Sequence, residues 1–469
     1  MTCGVPAAVA RRVTVVGGGI TGLLTAVGLA DAGAQVTVLE QKDTVGGQIR
    51  SIEVDGAVVD VGAESLHTAT PGILELLQRL ELETAITEAH PGPTLVVRGR
   101  HLRRLPTGFG PTGPSRLWPV VTARILNPAG LLRAACEPLV PWSHHGKDLA
   151  VGTYLTARFG AQLTDRLVDP LLGNLHAGDV HRLGLAAAVP PLDRAARSHR
   201  SLVLGRRGSH AGPARRFVTL CGGLAQITDT LAADPRIDVR CSSPVSALQR
   251  TVDGDYLVVG DNGALTQADA VVLAVPSAVA ARLIAAQDAR AGRALDSIES
   301  ASVATVVANY RRADVANHPA FRANGLLVPS TAAGRLLKAA TFLSGKWPHL
   351  ALQDSFLVRM SAGRAGQYGI DQLDDGELAE RLHGDLAELT GLSTAPHLTV
   401  VRRWPATMPQ LHVGHLDIIA SVRERLNGRH RIVLAGAAYD GVGIGNCLRS
   451  ARAAVAHLAA DHDTEERAA

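Results

Sequence analysis

Aromatic residues make up only 3 % of this 469-residue chain, lysine occurs only at 42, 147, 338 and 346, and there are 5 cysteines. Each scarcity excludes something. With so few rings, an aromatic cage around a cationic amine is poorly supplied. The cysteines, at 3, 136, 221, 241 and 447, form no CxxC pair and have no histidine at metal spacing. That argues against a zinc site and for a reducing compartment. No uncharged apolar run reaches the roughly 18 residues needed to span a membrane. The longest candidates, such as 270–281, are broken by Pro276 and read as core. Charge of one sign is also lacking: the net charge is +4, from 47 basic and 43 acidic residues, which implies no nucleic-acid surface. The first twelve residues lack the basic-then-apolar order of a signal peptide, and the residues after Asp461 read as a short, charged, frayed tail. The expectation is a cytoplasmic protein without a transmembrane segment, with peripheral membrane contact still allowed.

What is present is ordinary globular composition, 46 % apolar and 19 % charged, in a chain long enough for about two to three folding units. The positive charge is almost all arginine, with clusters at Arg103-Arg104, Arg206-Arg207 and Arg215-Arg216, and with Arg194, Arg197 and Arg200 spaced three apart. These read either as solvated faces or as a rim that recognises carboxylates, which arginine pairs with bidentately.

The most informative stretch is Arg12-Val-Thr-Val-Val followed by Gly17, Gly18, Gly19, Ile20, Thr21 and Gly22. A run of β-formers enters a glycine turn and then a helix, with Gly17, Gly19 and Gly22 at the spacing of a dinucleotide fingerprint. Gly17 permits the tight turn, Gly19 removes a Cβ that would block a pyrophosphate, and Gly22 allows close helix–strand packing. The helix N-terminus then offers N–H groups and a positive dipole end. A second strand, Gln35-Val-Thr-Val-Leu, ends at Glu40, placed to accept from a ribose hydroxyl, with Gln41 adjoining it.

Along the chain, Gly46, Gly47, Gln48 and Arg50 precede an alternating stretch, 52–65, with a turn at Gly56 that reads as a hairpin leading back to the nucleotide. Residues 68–214 are punctuated by proline and glycine and read as mostly helical. Residues 215–285 return to α/β character, 290–404 are rich in strands around one strong helix at 374–389, and the end is again strand, glycine turn and helix. The expected architecture is α/β (α+β overall). A Rossmann-like domain is assembled from 1–67, 215–285 and 405–469, with a helical substrate region at 68–214 and a mixed-sheet substrate domain at 286–404.

This spread of nucleotide signals resembles the FAD-dependent amine oxidase-like superfamily. Within it, Gly178-Asp179, residues 217–224, 340–348, Arg403-Trp404-Pro405 with Met408-Pro409-Gln410, 413–416 and 434–444 resemble the bacterial protoporphyrinogen/coproporphyrinogen oxidase family, in order, over about residues 12–457. The resemblance implies FAD. Residues 17–22 would hold its pyrophosphate, Glu40 its adenosine ribose, and Gly47, Gln48 and Arg50 its phosphate and ribityl region. Gly62, Ala63, Glu64 and Ser65 would pass near the ring, and Val245 would present its backbone to the adenine. Trp404, Ala437, Val442, Gly443 and Ile444 would close over the isoalloxazine. Trp404 and Tyr439 are equally readable as plain core packing.

The implied activity is oxygen-dependent oxidation of a porphyrinogen to a porphyrin in haem biosynthesis, with release of hydrogen peroxide. Hydride goes to the flavin, so no dedicated catalytic side chain and no metal is expected. An arginine-rich chain without a membrane-inserting helix leans toward the tetra-acid coproporphyrinogen III over protoporphyrinogen IX. A haem-pathway partner could dock transiently, and the sequence assigns no oligomeric state. Two departures from the family pattern stand out. Asn174 and His176 lie where the substrate would face, so they are candidate substrate contacts. Gly445-Asn446 replaces a common proline, which is expected to loosen the turn under the flavin. An amine or polyene oxidase using Lys338 or Lys346, and a non-catalytic tetrapyrrole- or flavin-binding paralogue, are the competing readings.

Overall fold

The computed structural model describes residues 12–114, 116–141, 146–205, 216–315, 318–332, 334–367, 369–427 and 430–466. The signal-peptide reading of residues 1–11, Cys3, Arg206, Arg207, Arg215 and the end of the tail at 467–469 lie outside them.

Strand β1 (Arg12–Val16) sits in the middle of a five-stranded parallel sheet. It pairs on one side with β2 (Gln35–Leu39) and on the other with Ala270–Leu273; Ile237–Arg240 and Ile432–Leu434 complete the edges. Strands covered on both faces read as continuous apolar runs, which is why Val13, Val15, Val271 and Val272 are all buried. On one face lie helix α1 (Ile20–Asp31) and the last helix, Ile444–Glu466. On the other lie Ser277–Ile284, Ala289–Asp296 and His415–Asn427. The sheet thus draws its strands from residues 12–39, 237–273 and 432–434. The last helix continues past Asp461 to Glu466, where a frayed tail was expected.

A seven-stranded mixed sheet forms the second layer, ordered Leu398–Pro409, Ser300–Arg311, Ser355–Ala362, Ala339–Phe342, Gly325–Leu327, Thr94–Arg98 and His101–Arg104. One face packs on the helix Asp375–Thr390, whose Leu378, Leu382 and Leu386 recur at helical spacing. That helix is stopped at both ends: Asp374 and Glu377 form a capping box, and Gly391 takes the left-handed conformation. The other face meets the hairpin Ser51–Val54 and Ala57–Asp60 across Trp347 and Trp404.

The last two strands of this sheet come from within 68–214, the block read as mostly helical. Thr94-Leu-Val-Val-Arg98 is β-branched and turns at Gly99 (φ +60°) into its antiparallel partner, and it joins Gly325–Leu327 in parallel. Only tertiary structure supplies that parallel neighbour, so local pattern could not place it.

The rest of that block is a helical cluster with its own apolar core, including Tyr154, Phe159, Leu163 and Leu167. Thr164–Gly173 winds as a π-helix around Pro170, which has no N–H to donate. The cluster is tied by a buried ion pair. Arg158 Nε donates to Glu137 Oε1 at 2.9 Å, Arg158 Nη2 donates to the Arg200 carbonyl at 2.6 Å, and Glu137 also accepts from the Ser201 hydroxyl and the Leu202 N–H. Both side chains are out of solvent, at 1 % and 0 % exposure. Arg158→Met would strand the Glu137 charge and is expected to cost about 3–5 kcal/mol, seen as a lower melting temperature. Adding Glu137→Gln keeps an acceptor for Ser201 and Leu202 and is expected to recover part of the loss. An unchanged melting temperature in the single variant would show that the pair does not hold the block together.

Candidate functional site

The glycine turn is held from three sides. Gly17 (φ +106°) donates its N–H to the Leu39 carbonyl at 2.8 Å, and a Cβ there would stand 2.5 Å from the Ala274 carbonyl oxygen. A Cβ on Gly22 would stand 1.9 Å from the Gly17 carbonyl oxygen, so helix α1 approaches β1 only because that position is glycine. Gly19 differs: a Cβ there would meet only the Gly47 Cα, at 3.9 Å. It faces open space at the start of a helix with no side-chain cap and no acid in its first turn. Those are the features of an anion-binding helix N-terminus. Thr21 and Ile20 are buried behind it, and Thr21 lies against Gly436.

Glu40 is buried at the end of β2, where its carboxylate accepts from the Gly18 N–H at 2.7 Å and the Lys42 N–H at 2.9 Å. Its position is fixed by backbone bonds to Arg240, the last residue of the neighbouring strand, and to Ser243 just beyond it. Gln41 is exposed beside it. Val245 opens the strand Val245–Arg250 at a bulge, half-buried, with the Pro244 carbonyl accepting from the Asp261 N–H.

A second chain crossing completes the cradle. Gly46 donates to the Gly18 carbonyl at 2.9 Å, which brings Gly47 (φ +60°) against Gly19. The Gln48 carbonyl accepts from Ala63, and a Cβ on Gly62 would lie 1.9 Å from that carbonyl and 3.3 Å from Trp404 Cζ2. The Gln48 amide reaches the Thr407 carbonyl at 2.7 Å, and Arg50 bonds the Thr44 hydroxyl at 2.6 Å. Trp404 is buried, with the Lys42 ammonium and the Arg402 guanidinium 5.8 and 5.4 Å from its ring. Ser65 is half-buried next to Glu64.

Glu64 carries more than a backbone role. Its buried carboxylate accepts from Lys346 Nζ at 2.6 Å and Trp347 Nε1 at 3.1 Å, and it pairs with Arg359. Burial alone would raise its pKa, but Arg359 and Lys346 outweigh that and hold it at about 2. Arg359 also donates to the carbonyls of Asp60 and Gly62, at 3.0 and 2.9 Å, so one guanidinium fixes the strand that passes the cradle. Asp60 behaves oppositely: burial pushes it up to about 6 despite bonds from Ser51 and Leu224. Sequence reasoning missed Arg359 and Lys346 as partners of Glu64. The available signal was an acid in an otherwise small and apolar stretch, with one of the rare lysines far along the chain.

The C-terminal turn folds over the same region. Gly436 donates to the Ser450 hydroxyl at 2.8 Å, Ala437 opens a short helix, and Tyr439 is buried with its hydroxyl on the Val275 carbonyl. Val442 and Ile444 are half-buried around Gly443 (φ +106°), where a Cβ would meet nothing within 4 Å. The expected loosening at Gly445-Asn446 is offset locally. The Asn446 amide donates to the Val442 carbonyl at 2.9 Å, and a Cβ on Gly445 would run into Thr70.

Asn174 and His176 lie at the seam between the helical block and the mixed sheet. The Asn174 amide donates to the carbonyls of Lys338 and Val328, which occupies its nitrogen with backbone. Burial lowers the His176 imidazole to about 4, so it is neutral, and its carbonyl accepts from Gln410.

These residues fit an extended flavin dinucleotide. The helix N-terminus, the open space at Gly19 and the acid at the end of β2 come from the first segment of the chain and the open turn at Gly443 from the last, which an extended cofactor would span. The family described as flavin containing amine oxidoreductase matches residues 20–459. A coproporphyrinogen III oxidase of Mycobacterium leprae (strain TN) is 35 % identical over 465 residues, covering 96 % of this chain and 99 % of that protein. One from Bacillus subtilis (strain 168) is 28 % identical over 462 residues, covering 95 % and 97 %. A crystal structure from Exiguobacterium sp. 255-15, which carries a provisional protoporphyrinogen oxidase name, matches with a TM-score of 0.85 at 27 % identity, covering 96 % and 99 %. With its fold, its dinucleotide cradle and this end-to-end similarity, the chain belongs to the flavin containing amine oxidoreductase family, an FAD-dependent group of oxidoreductases.

Proposed function

We propose that this protein oxidises coproporphyrinogen III to coproporphyrin III in haem biosynthesis, using FAD and dioxygen, and acts in the cytoplasm. The observation that carries the reading is the match to coproporphyrinogen III oxidases along nearly the whole of both chains. No helix among the described residues is long and apolar enough to cross a membrane. In the balanced reaction the macrocycle loses six hydrogens, and three molecules of dioxygen become three of hydrogen peroxide. Bound FAD would supply the two-electron acceptor that dioxygen restores.

The chain's own residues bind, orient and exclude water. On this reading 1–67, 215–285 and 405–469 hold the cofactor, and 68–214 with 286–404 hold the substrate. Backbone N–H groups at 17–22 would take the pyrophosphate, Glu40 the ribose, and Gly47, Gln48 and Arg50 the phosphate and ribityl region. The Glu64–Lys346–Arg359 cluster fixes the backbone at 60–64, and Trp404 with 437–444 covers the far side. No side chain is assigned as a catalytic acid or base.

Anaerobic mixing of the FAD-loaded protein with coproporphyrinogen III is expected to bleach the flavin faster than mixing with protoporphyrinogen IX. Equal or reversed rates would sink the substrate assignment. Gly19→Val is expected to leave the fold intact, since its Cβ has room, yet to lose flavin absorbance on purification. Retained flavin would move the pyrophosphate elsewhere. Glu64→Gln is expected to cost up to about 3 kcal/mol at neutral pH, because two half-buried cations lose their buried carboxylate. Its folded pKa is depressed, so the stabilisation is full above the ordinary glutamate range and is lost as pH falls toward about 2. Thermal melts across acidic pH should therefore show the gap between wild type and variant closing.

A further inference from the structure

Five buried polar side chains meet at the seam between the helical block and the mixed sheet, and they have more hydrogen-bonding capacity than they use. Asn174 Nδ2 donates to the Lys338 and Val328 carbonyls at 2.7 and 3.2 Å, and Arg364 Nη2 donates to the same Val328 carbonyl at 2.7 Å. Gln410 Nε2 reaches the His176 carbonyl at 3.1 Å, and the Ala365 N–H reaches the Ala177 carbonyl at 2.8 Å. These bonds fix backbone. Arg364 Nη1, Asn174 Oδ1, His176 Nδ1 and Gln410 Oε1 remain buried without a partner.

Lys338 is the fifth. It is 7 % exposed, as is Arg364, and no hydrogen bond or ion pair engages its ammonium among the described residues. The charges acting on it, Arg364 and Arg359, are both positive. The one carboxylate acting on Arg364 is Asp169, which already accepts from the Ser330 N–H at 2.7 Å. Buried cations are normally paired, and buried polar groups are normally bonded, so several exceptions at one seam mark a place for a missing partner. Arg359 connects the seam to the cofactor side, since the same guanidinium holds Glu64 and the 60–62 backbone.

We propose that Lys338 and Arg364 form an anion subsite that takes a carboxylate of the substrate, which on the reading above is a propionate of the macrocycle. Lys338 Nζ and Arg364 Nη1 are the donors, and the proposal rests on the porphyrinogen reading for the identity of the acid. Burial, with Arg364 and Arg359 adding to it, lowers Lys338 to about 7, so the amine gains its full charge when an anion arrives. The leftover acceptors, Asn174 Oδ1 and Gln410 Oε1, would be met by ordered water.

The test is a fluorescence titration of the FAD-loaded protein with coproporphyrin III and with the tetra-amide of the same macrocycle. Wild type is expected to prefer the acid. Lys338→Met is expected to lose about tenfold or more in affinity for the acid, the scale of a charge-assisted bond, while its affinity for the amide is unchanged. Lys338→Arg is expected to restore most of it. Because the methionine variant removes an unpaired buried charge, its melting temperature without ligand is expected to equal or exceed that of wild type. Unchanged affinity for the acid, or equal losses for acid and amide with a lower melting temperature, would overturn the subsite. A wild-type holoenzyme that binds neither macrocycle would instead overturn the porphyrinogen reading and the ligand named here with it.

Discussion

The approach of helix α1 to strand β1 governs the rest of the cofactor side. At Gly22 any Cβ would occupy the Gly17 carbonyl, so the contact exists only between two backbones. It seats the helix with its N-terminus at the end of the sheet. The same closeness extends along the helix: Gly28 is where Val455 of the last helix packs, and Thr21 is where Gly436 arrives. The first and last segments of the chain therefore meet on one helix, and the middle segment enters through the ladder of Ala270–Leu273 on β1. A site built this way cannot tolerate bulk at its hinge, and it leaves space at Gly19, where the cradle must stay open.

Much of this was legible because the information is local. The β1–α1–β2 unit and Glu40 lie within thirty residues of one another, and each glycine's role follows from spacing. The strands at 270–273 and 432–434 were legible as short apolar runs, since strands buried on both faces need no alternation. What was not legible depends on partners far along the chain. The strands at 94–104 lie in a block that reads as mostly helical, and the parallel neighbour that ties them into the sheet, Gly325–Leu327, is more than two hundred residues away. Glu64 reads as one more residue passing the flavin, yet its carboxylate is the anchor for Lys346 and Arg359. At Gly445-Asn446 the sequence suggests a weakened turn, and only the fold shows that the asparagine amide restores a closing bond that proline could not make.

Charge is distributed unevenly across the two sides of the mixed sheet, and this bears on what the protein can accept. Near the cradle, two cations share one carboxylate that they hold ionised, while Asp60 is pushed toward neutrality by burial. At the seam with the helical block, Asp169 acts on Arg364, while the charges acting on Lys338 are the guanidiniums of Arg364 and Arg359. The seam itself therefore carries more basic than acidic groups, which a cationic amine would meet as repulsion and lost solvation, and a carboxylate as attraction in a medium of low polarity. Of the two lysines an amine oxidase could employ, Lys346 is committed to Glu64, and Lys338 sits among guanidiniums. Aromatic rings, which would have to offset the cost of burying an amine, make up only 3 % of the chain. A substrate with several carboxylates and a neutral reacting centre resolves both conditions at once: its acids neutralise the seam, and its oxidisable carbons require nothing from the protein but position.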